Sequence, residues 1–151
     1  MGDTKYDSFT LNPKYENQRR EFADAYERAW SEGGWTVYVD ELFYQSERLR
    51  LAEPIERLLT QGRSKNISVV IGMQRPARIS RFAISESTHV LSFALEGRDA
   101  NELSHATTRA MEEAVRGLPE HWFAWFKRPR TVWVGTLDLR AQVLRGRYLT
   151  R

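Results

Sequence analysis

The stretch GGWTVYVDEL, residues 33–42, decides the fold of this chain. Two glycines end a helical pattern, a short β-prone run follows, and the run stops at two adjacent carboxylates, Asp40 and Glu41. Acidic residues have poor strand propensity, and like charges side by side repel. The acidic pair therefore predicts the point at which a buried strand ends and the chain reaches the rim of a sheet.

Outward from this stretch, helical and strand-like patterns alternate along the chain. The three- and four-residue spacing of apolar side chains predicts helices at 15–30, 49–62, 100–106 and 108–115. β-prone runs predict strands at 35–39, 67–73 and 89–95. The alternation indicates an α/β fold with a mainly parallel sheet flanked by helices.

Beyond the alternating region, the spacing of Ser80 to Ser87 predicts a short helix. Two aromatic-rich runs, 121–126 and 131–136, are joined by Lys-Arg-Pro-Arg and predict a C-terminal β-hairpin. Alternation of aromatic residues in the first run also suits a single-strand binder that stacks bases, but core packing of one strand face is the favoured interpretation.

Composition sets the class of protein. The chain has 151 residues, of which 41% are hydrophobic and 28% are charged, as expected for one globular domain spanning 1–151. No apolar run approaches the roughly 20 residues of a membrane span, the polar N-terminus is no secretory signal, and Cys is absent. These features favour a cytoplasmic protein without disulfides or thiolate metal sites. The net charge of +3 favours an anionic partner only weakly.

Polar side chains follow two neighbouring predicted strands. Asp40 and Glu41 come directly after the first, and Gln74 follows the second. Ligands of open parallel sheets bind at the carboxyl ends of the strands, so the same rim is expected to carry all three side chains. An Asp that holds Mg²⁺ through water and a Glu that activates the attacking water are what a nucleotide hydrolase needs. A solvated acidic turn is the plainer alternative.

Three segments together resemble the second half of the motor domain of FtsK/HerA-like DNA-translocating P-loop ATPases, a family with phage- and plasmid-borne members. They are VYVDE (37–41), LLTQGRSKNISVVIGMQRP (58–76) and FALEGRDANEL (93–103). The resemblance implies a RecA-like sheet in which Asp40 and Glu41 form the Walker B pair. It also implies that Gln74 is the sensor residue and that Arg63 is an arginine finger presented to a neighbouring subunit.

The same resemblance implies ATP and Mg²⁺ as cofactors, double-stranded DNA as a partner and a homo-oligomeric, hexameric ring. One departure from the family is clear, because the Walker A pattern G-x-x-x-x-G-K-[ST] occurs nowhere in the sequence. The expected sheet is therefore incomplete, without its P-loop strand, and the chain is interpreted as the C-terminal half of a translocase motor. A separate N-terminal half would carry the P-loop, and the chain alone would hydrolyse ATP poorly.

Two other functions are alternatives to this one. A non-catalytic DNA- or subunit-binding module derived from such an ATPase is the main alternative, and the missing Walker A pattern favours it. A nuclease-like use of the carboxylates is disfavoured, because such metal sites gather carboxylates from several elements.

The remaining candidate residues are basic or are histidines. Arg75, Arg78 and Arg81 form a basic cluster that is suited to a DNA backbone, although solvated or ion-paired surface arginines are the favoured interpretation. The three histidines lack metal-ligand spacing and are expected to be structural or surface residues: His89, His105 and His121.

Overall fold

The computed structural model describes residues 11, 13–78 and 81–150, with the side chains of Arg81 and Phe82 outside that description. It divides the chain into two compact units, Met1–Ile71 and Gly72–Arg151. Each unit has its own sheet and its own buried apolar residues. The interpretation of 1–151 as a single domain stays a prediction.

The N-terminal unit is built on a two-stranded parallel sheet. Its elements are α1 (Gln18–Glu32), β1 (Thr36–Val39), a π-helix (Tyr44–Arg48), α2 (Ala52–Gln61), a 3-10 helix (Gly62–Lys65) and β2 (Ser68–Ile71). β1 and β2 run in register from Thr36 beside Ser68 to Val39 beside Ile71. The fully buried apolar side chains come mainly from β1 and α2, namely Val39, Ile55 and Leu58.

The two glycines before β1 join the end of α1 to the turn that precedes β2. Gly33 has a φ of +68°, and its N–H closes α1 by donating to Ala29 O at 3.0 Å. A Cβ at Gly33 would lie 2.8 Å from Lys65 O, and the N–H of Gly34 donates to that same oxygen at 2.9 Å. Only glycine combines this left-handed backbone with so close an approach, so the pair fixes where β1 begins.

The C-terminal unit is built on a four-stranded antiparallel sheet with the order β3-β4-β5-β6. Its elements are α3 (Arg81–Ser85), β3 (His89–Ser92), α4 (Gly97–Ala106), α5 (Arg109–Arg116), β4 (Trp122–Lys127), β5 (Thr131–Asp138) and β6 (Val143–Thr150). One face of β4 and β5 packs on α4 and α5 around the fully buried side chains of Leu103, Met111, Val115, Phe126 and Val132.

Arg128 holds the connection between β4 and the helices. Its guanidinium donates to three backbone carbonyls, those of Ser87, Ile84 and Ala106, at 2.9, 3.4 and 3.0 Å. These carbonyls lie at or just beyond the ends of α3 and α4, where backbone carbonyls lack a full set of intrahelical partners, and the Ile84 carbonyl also accepts the N–H of Ser87. Arg128 is therefore a structural residue of the C-terminal unit.

The α/β class and the parallel pairing of the first two strands are confirmed. The expectation of a mainly parallel sheet needs correction in the C-terminal unit, where β3 pairs antiparallel with β4, Val90 lying beside Phe126. The two strands share one apolar core, and burial there favours this pairing. The predicted hairpin is present as β4–β5 and is extended by β6, whose side chains are almost all exposed and so give no periodic signal.

Alternation in β4 confirms the core-packing interpretation of the aromatic run. Ala124 and Phe126 are fully buried, whereas Phe123 and Trp125 on the other face are half-buried. On that outer face the indole of Trp133 covers the paired glycines Gly135 and Gly146, where an added Cβ would lie within 2.4 Å of the ring. The glycine pair therefore makes the space that the indole fills between β5 and β6.

Candidate functional site

The acidic pair lies just beyond the end of β1. Val39 is completely buried, and Asp40 and Glu41 are both exposed. Oδ1 of Asp40 accepts the backbone N–H of Glu41 at 3.1 Å and the hydroxyl of Tyr38 at 3.3 Å. The negative charge of Asp40 raises the pKa of Tyr38 above its ordinary value, with desolvation adding to the shift. The strand thus delivers a carboxylate whose orientation is fixed by its own neighbours.

Glu41 has a strained backbone. Its φ is +51°, in the left-handed region that non-glycine residues rarely adopt and that costs on the order of 1–3 kcal/mol. Its carbonyl accepts the N–H groups of Tyr44 and Gln45 at 2.9 and 3.2 Å, and the chain then continues into the π-helix Tyr44–Arg48. Left-handed backbone and π-helical turns are both frequent at functional sites, which keeps this turn as the candidate site.

A buried amide braces the acidic turn. Gln45 is only 5% exposed; its Nε2 donates to the carbonyl of Asp40 at 2.8 Å, and its Oε1 accepts the hydroxyl of Tyr26 in α1. Burial raises the pKa of Tyr26 well above its usual range, so this hydroxyl remains a donor at all ordinary pH values. Sequence reasoning missed Gln45, although a Gln one helical turn after Glu41 could have been recognised as facing the end of β1.

Replacing Gln45 by Leu is expected to destabilise the chain by about 2–3 kcal/mol, because the buried Tyr26 hydroxyl and the partly buried Asp40 carbonyl each lose their partner. Urea unfolding followed by tryptophan fluorescence measures the change. Gln61→Leu, at an exposed position of α2, is the matched control and should stay within about 0.5 kcal/mol. Equal effects of the two substitutions would show that Gln45 braces nothing.

Arg63 lies at the other end of the parallel strand pair. It is an exposed residue of the 3-10 helix Gly62–Lys65, which precedes β2, whereas Asp40 follows the end of β1. Since β1 and β2 are parallel, the segment before β2 lies at the amino ends of the two strands and the segment after β1 at their carboxyl ends. Within the described residues no carboxylate pairs with the Arg63 guanidinium. This placement suits a residue that acts on a neighbouring molecule.

Gln74 and the basic cluster belong to the C-terminal unit. Gln74 and Arg75 are exposed, and the segment continues into a short 3-10 helix, Pro76–Arg78. The N–H of Ala77 donates to Oδ1 of Asp99 in α4 at 2.9 Å, which anchors this segment to the unit. Sequence reasoning did not single out Asp99 as this anchor. Arg78 is exposed; Arg81 begins α3, and its side chain lies outside the described residues.

The structure therefore brings Asp40 and Glu41 together in one turn. It places Arg63 near the opposite, amino ends of the same two strands, and it places Gln74, Arg75 and Arg78 in the other unit. β2 ends at Ile71, the register partner of Val39. The chain therefore leaves this sheet at the carboxyl ends of the strands, where the acidic pair lies. The convergence of Gln74 with Asp40 and Glu41 stays a prediction. All three histidines are exposed, as expected.

The donor set at Asp40 fits a water-mediated magnesium contact. Among the described residues no group of three or more His, Asp or Glu side chains is placed to hold a metal ion. Mg²⁺ keeps several waters and needs only one or two carboxylates together with substrate phosphates. In Asp40, Oδ1 is engaged by two hydrogen bonds, which leaves Oδ2 for a metal-bound water.

Comparison with known proteins gives one curated relative. The DNA packaging ATPase P9 of Enterobacteria phage PRD1 is 48% identical over 60 residues, which cover 39% of this chain and 25% of P9. No family model matches the sequence. The chain thus spans about a quarter of the length of this relative.

Solved structures of a viral packaging enzyme share the fold. The genome packaging NTPase B204 of Sulfolobus turreted icosahedral virus 2, in complex with AMP, matches with a TM-score of 0.60 and 12% identity over 88% of this chain and 62% of B204. Its complex with ATP-gammaS gives a TM-score of 0.61, also at 12% identity, over 84% of this chain and 60% of that one.

B204 from Sulfolobus turreted icosahedral virus, a DNA-packaging ATPase, gives a TM-score of 0.58 at 16% identity over 88% of this chain and 60% of B204. The resemblance to DNA-translocating P-loop ATPases is confirmed by homology to the phage enzyme and by fold. No helix in the described part of the chain is both long enough and apolar enough to cross a bilayer.

Proposed function

We propose that this chain, a homologue of a phage DNA packaging ATPase, supplies the Walker B-to-sensor part of an ATP-driven motor that translocates DNA during genome packaging. The strained turn after β1 carries this proposal, because it presents two adjacent carboxylates at the carboxyl end of a parallel strand. Sheets of this class bind their ligands at the carboxyl ends of the strands. The motor is expected to act in the cytoplasm of the host.

The acidic turn has two roles in this proposal. Asp40 holds Mg²⁺ through water, and Glu41 orients the attacking water and takes its proton. The magnesium ion, when bound with ATP, neutralises charge on the phosphates. Gln74 reports the state of the γ-phosphate to the DNA-handling side, and Arg75, Arg78 and Arg81 contact the DNA backbone there.

Arg63 acts in trans in this proposal. It is exposed and lies near the amino ends of the two strands, whereas Asp40 lies at their carboxyl ends. Its guanidinium is therefore expected to act on a neighbouring subunit. A planar, permanently charged group suits the charge that spreads over the phosphoryl oxygens during transfer. A closed ring, hexameric by the family resemblance, would give every site such a neighbour.

The phosphate-binding loop is supplied from outside these 151 residues, because the sequence contains no Walker A pattern. The matched solved structures extend well beyond the part that this chain covers, which leaves room for such a segment. ATP binding therefore requires a Walker A-bearing half, on the same polypeptide or on a separate one.

A complementation assay tests the proposal. The full chain alone is expected to show no ATP turnover above background, whereas addition of a separate polypeptide that carries a Walker A half should give DNA-stimulated turnover on the order of 1 per second. A Lys→Ala substitution in the added Walker A motif is the control and should return turnover to background. Absence of both ATP binding and turnover in the complemented sample would contradict the motor function.

The absence of a Walker A pattern also supports a second candidate function, a non-catalytic module that binds DNA or a motor subunit. Such a module would bind its partner with equal affinity in the presence and absence of Mg-ATP. A motor part in the complemented sample would instead change its DNA affinity with the nucleotide state.

A further inference from the structure

The net positive charge of this chain is concentrated in its last 25 residues. Residues 127–151 contain seven Lys or Arg and a single acidic residue, Asp138. The whole chain has a net charge of only +3, so the residues before 127 are net negative. Charge segregated in this way produces a local positive potential that the modest overall charge conceals.

Three of these charges, Arg140, Arg145 and Arg147, lie on a β-ribbon with an exposed outer strand. The basic ribbon is defined here as β5, β6 and the turn 139–142 between them. Nearly every residue of β6 is exposed, and β6 lies at the edge of the four-stranded sheet. Eight residues at about 3.4 Å each give the ribbon a length of roughly 25 Å, which corresponds to about seven base pairs of duplex DNA.

Three arginines of the ribbon are placed to contact a ligand. Arg145 and Arg147 lie on the same face of β6, beside Thr136 and Val134 of β5, and Arg140 lies in the turn. Arg145 pairs with Asp138 at 3.0 Å, but its side chain is still 68% exposed. Among the described residues nothing forms an ion pair or hydrogen bond with the guanidinium of Arg147. By contrast, Arg128 is occupied by backbone carbonyls.

We propose that the basic ribbon binds the phosphate backbone of double-stranded DNA through Arg140, Arg145 and Arg147. Charge complementarity identifies the ligand as a polyanion, and guanidinium groups are well suited to phosphate oxygens. The choice of DNA rests on the proposed function of the chain in DNA packaging. These arginines belong to other elements of the chain than Arg75, Arg78 and Arg81.

DNA affinity of the full chain without nucleotide tests this inference, with fluorescence anisotropy of a short labelled duplex as the readout. The ribbon variant combines Arg140→Gln, Arg145→Gln and Arg147→Gln. Its matched control combines Arg20→Gln, Arg48→Gln and Arg98→Gln, all at exposed positions outside the ribbon. Both variants lower the net charge by the same amount, so total charge alone cannot separate them.

The ribbon variant is expected to lose about 10- to 100-fold in affinity at low salt. Its slope of log K against log salt should become shallower by about 2–3, because each lost phosphate contact removes close to one unit. The control variant should keep the slope of the unmodified chain. Equal losses in the two variants, or an unchanged slope in the ribbon variant, would overturn the inference.

A second variant, with two substitutions instead of three, tests whether the loss of affinity comes from misfolding. Arg140→Gln with Arg147→Gln leaves the Arg145–Asp138 pair intact and should reduce the slope by about 2. Polyglutamate serves as a comparison polyanion. If these substitutions weakened polyglutamate binding and left DNA binding unchanged, the ribbon would serve an acidic protein and the DNA inference would be wrong.

Failure here is separable from failure of the proposed function. Unchanged DNA binding by the ribbon variants, together with ATP turnover in the complemented assay, would overturn the ribbon alone. Lost DNA binding by those variants without any turnover would support the ribbon and contradict the motor.

Discussion

Replacing Glu41 by Gln is expected to reduce ATP turnover of the complemented motor by about 10²- to 10⁴-fold while ATP binding stays unchanged. Gln has nearly the same size as Glu and can still orient a water, but its amide takes no proton. The backbone strain at Glu41 is the same for both residues, and the bond from Gln45 to the Asp40 carbonyl is untouched. Steady-state phosphate release and binding of a fluorescent ATP analogue measure the two quantities.

Glu47→Gln is the matched control, since Glu47 is an exposed carboxylate in the π-helix that follows the acidic turn. Its turnover should stay within about twofold of the unmodified motor, because an exposed side chain away from the turn has little effect. Turnover that survived Glu41→Gln would remove Glu41 from the role of base, and a loss of ATP binding would indicate a damaged fold.

Replacing Arg63 by Ala is expected to reduce turnover by about 10³-fold or more, the scale on which arginine fingers act. The stronger expectation concerns mixtures of subunits. If Arg63 acts on a neighbour, a site that keeps Glu41 can borrow Arg63 from an adjacent Glu41→Gln subunit. Mixing the two inactive variants should therefore restore part of the turnover.

Arg63 comes before β2 and Asp40 after β1, so the two residues lie at opposite ends of the strands. This placement makes the mixing experiment decisive. A finger acting within its own subunit would leave every mixed ring inactive, since no subunit would then hold both residues. Arg20→Ala, at an exposed position in α1, is the control and should leave both single and mixed preparations active.

The sequence predicted the elements that have strong local signals. The spacing of apolar residues in α1 and α2 and the β-prone runs of β1 and β2 located these four elements of the N-terminal unit, although Val70 in β2 is half exposed. β6 escaped prediction because Arg145, Gly146 and Arg147 interrupt any alternation and its side chains remain exposed. The antiparallel pairing of β3 depends on contacts that are distant in sequence.

The candidate site divides in the same way. Asp40 and Glu41 were found because two carboxylates after a strand form a pattern of adjacent residues. The hydrogen bonds from Tyr26 through Gln45 to the Asp40 carbonyl join α1, the π-helix and the end of β1. Because these residues come from separate elements, no local sequence pattern predicts the bonds. The anchor from Asp99 to Ala77 likewise joins residues that are far apart along the chain.

If Glu41 is the proposed base, its left-handed backbone sets folding against catalysis. Glycine or asparagine would adopt this conformation at a lower cost than glutamate, yet neither carries a carboxylate. In a library randomised at this codon, selection for heat resistance alone would enrich the two small residues, whereas selection for packaged genomes would retain the acid. The side chain that selection keeps at this position therefore reveals which property the turn has been optimised for.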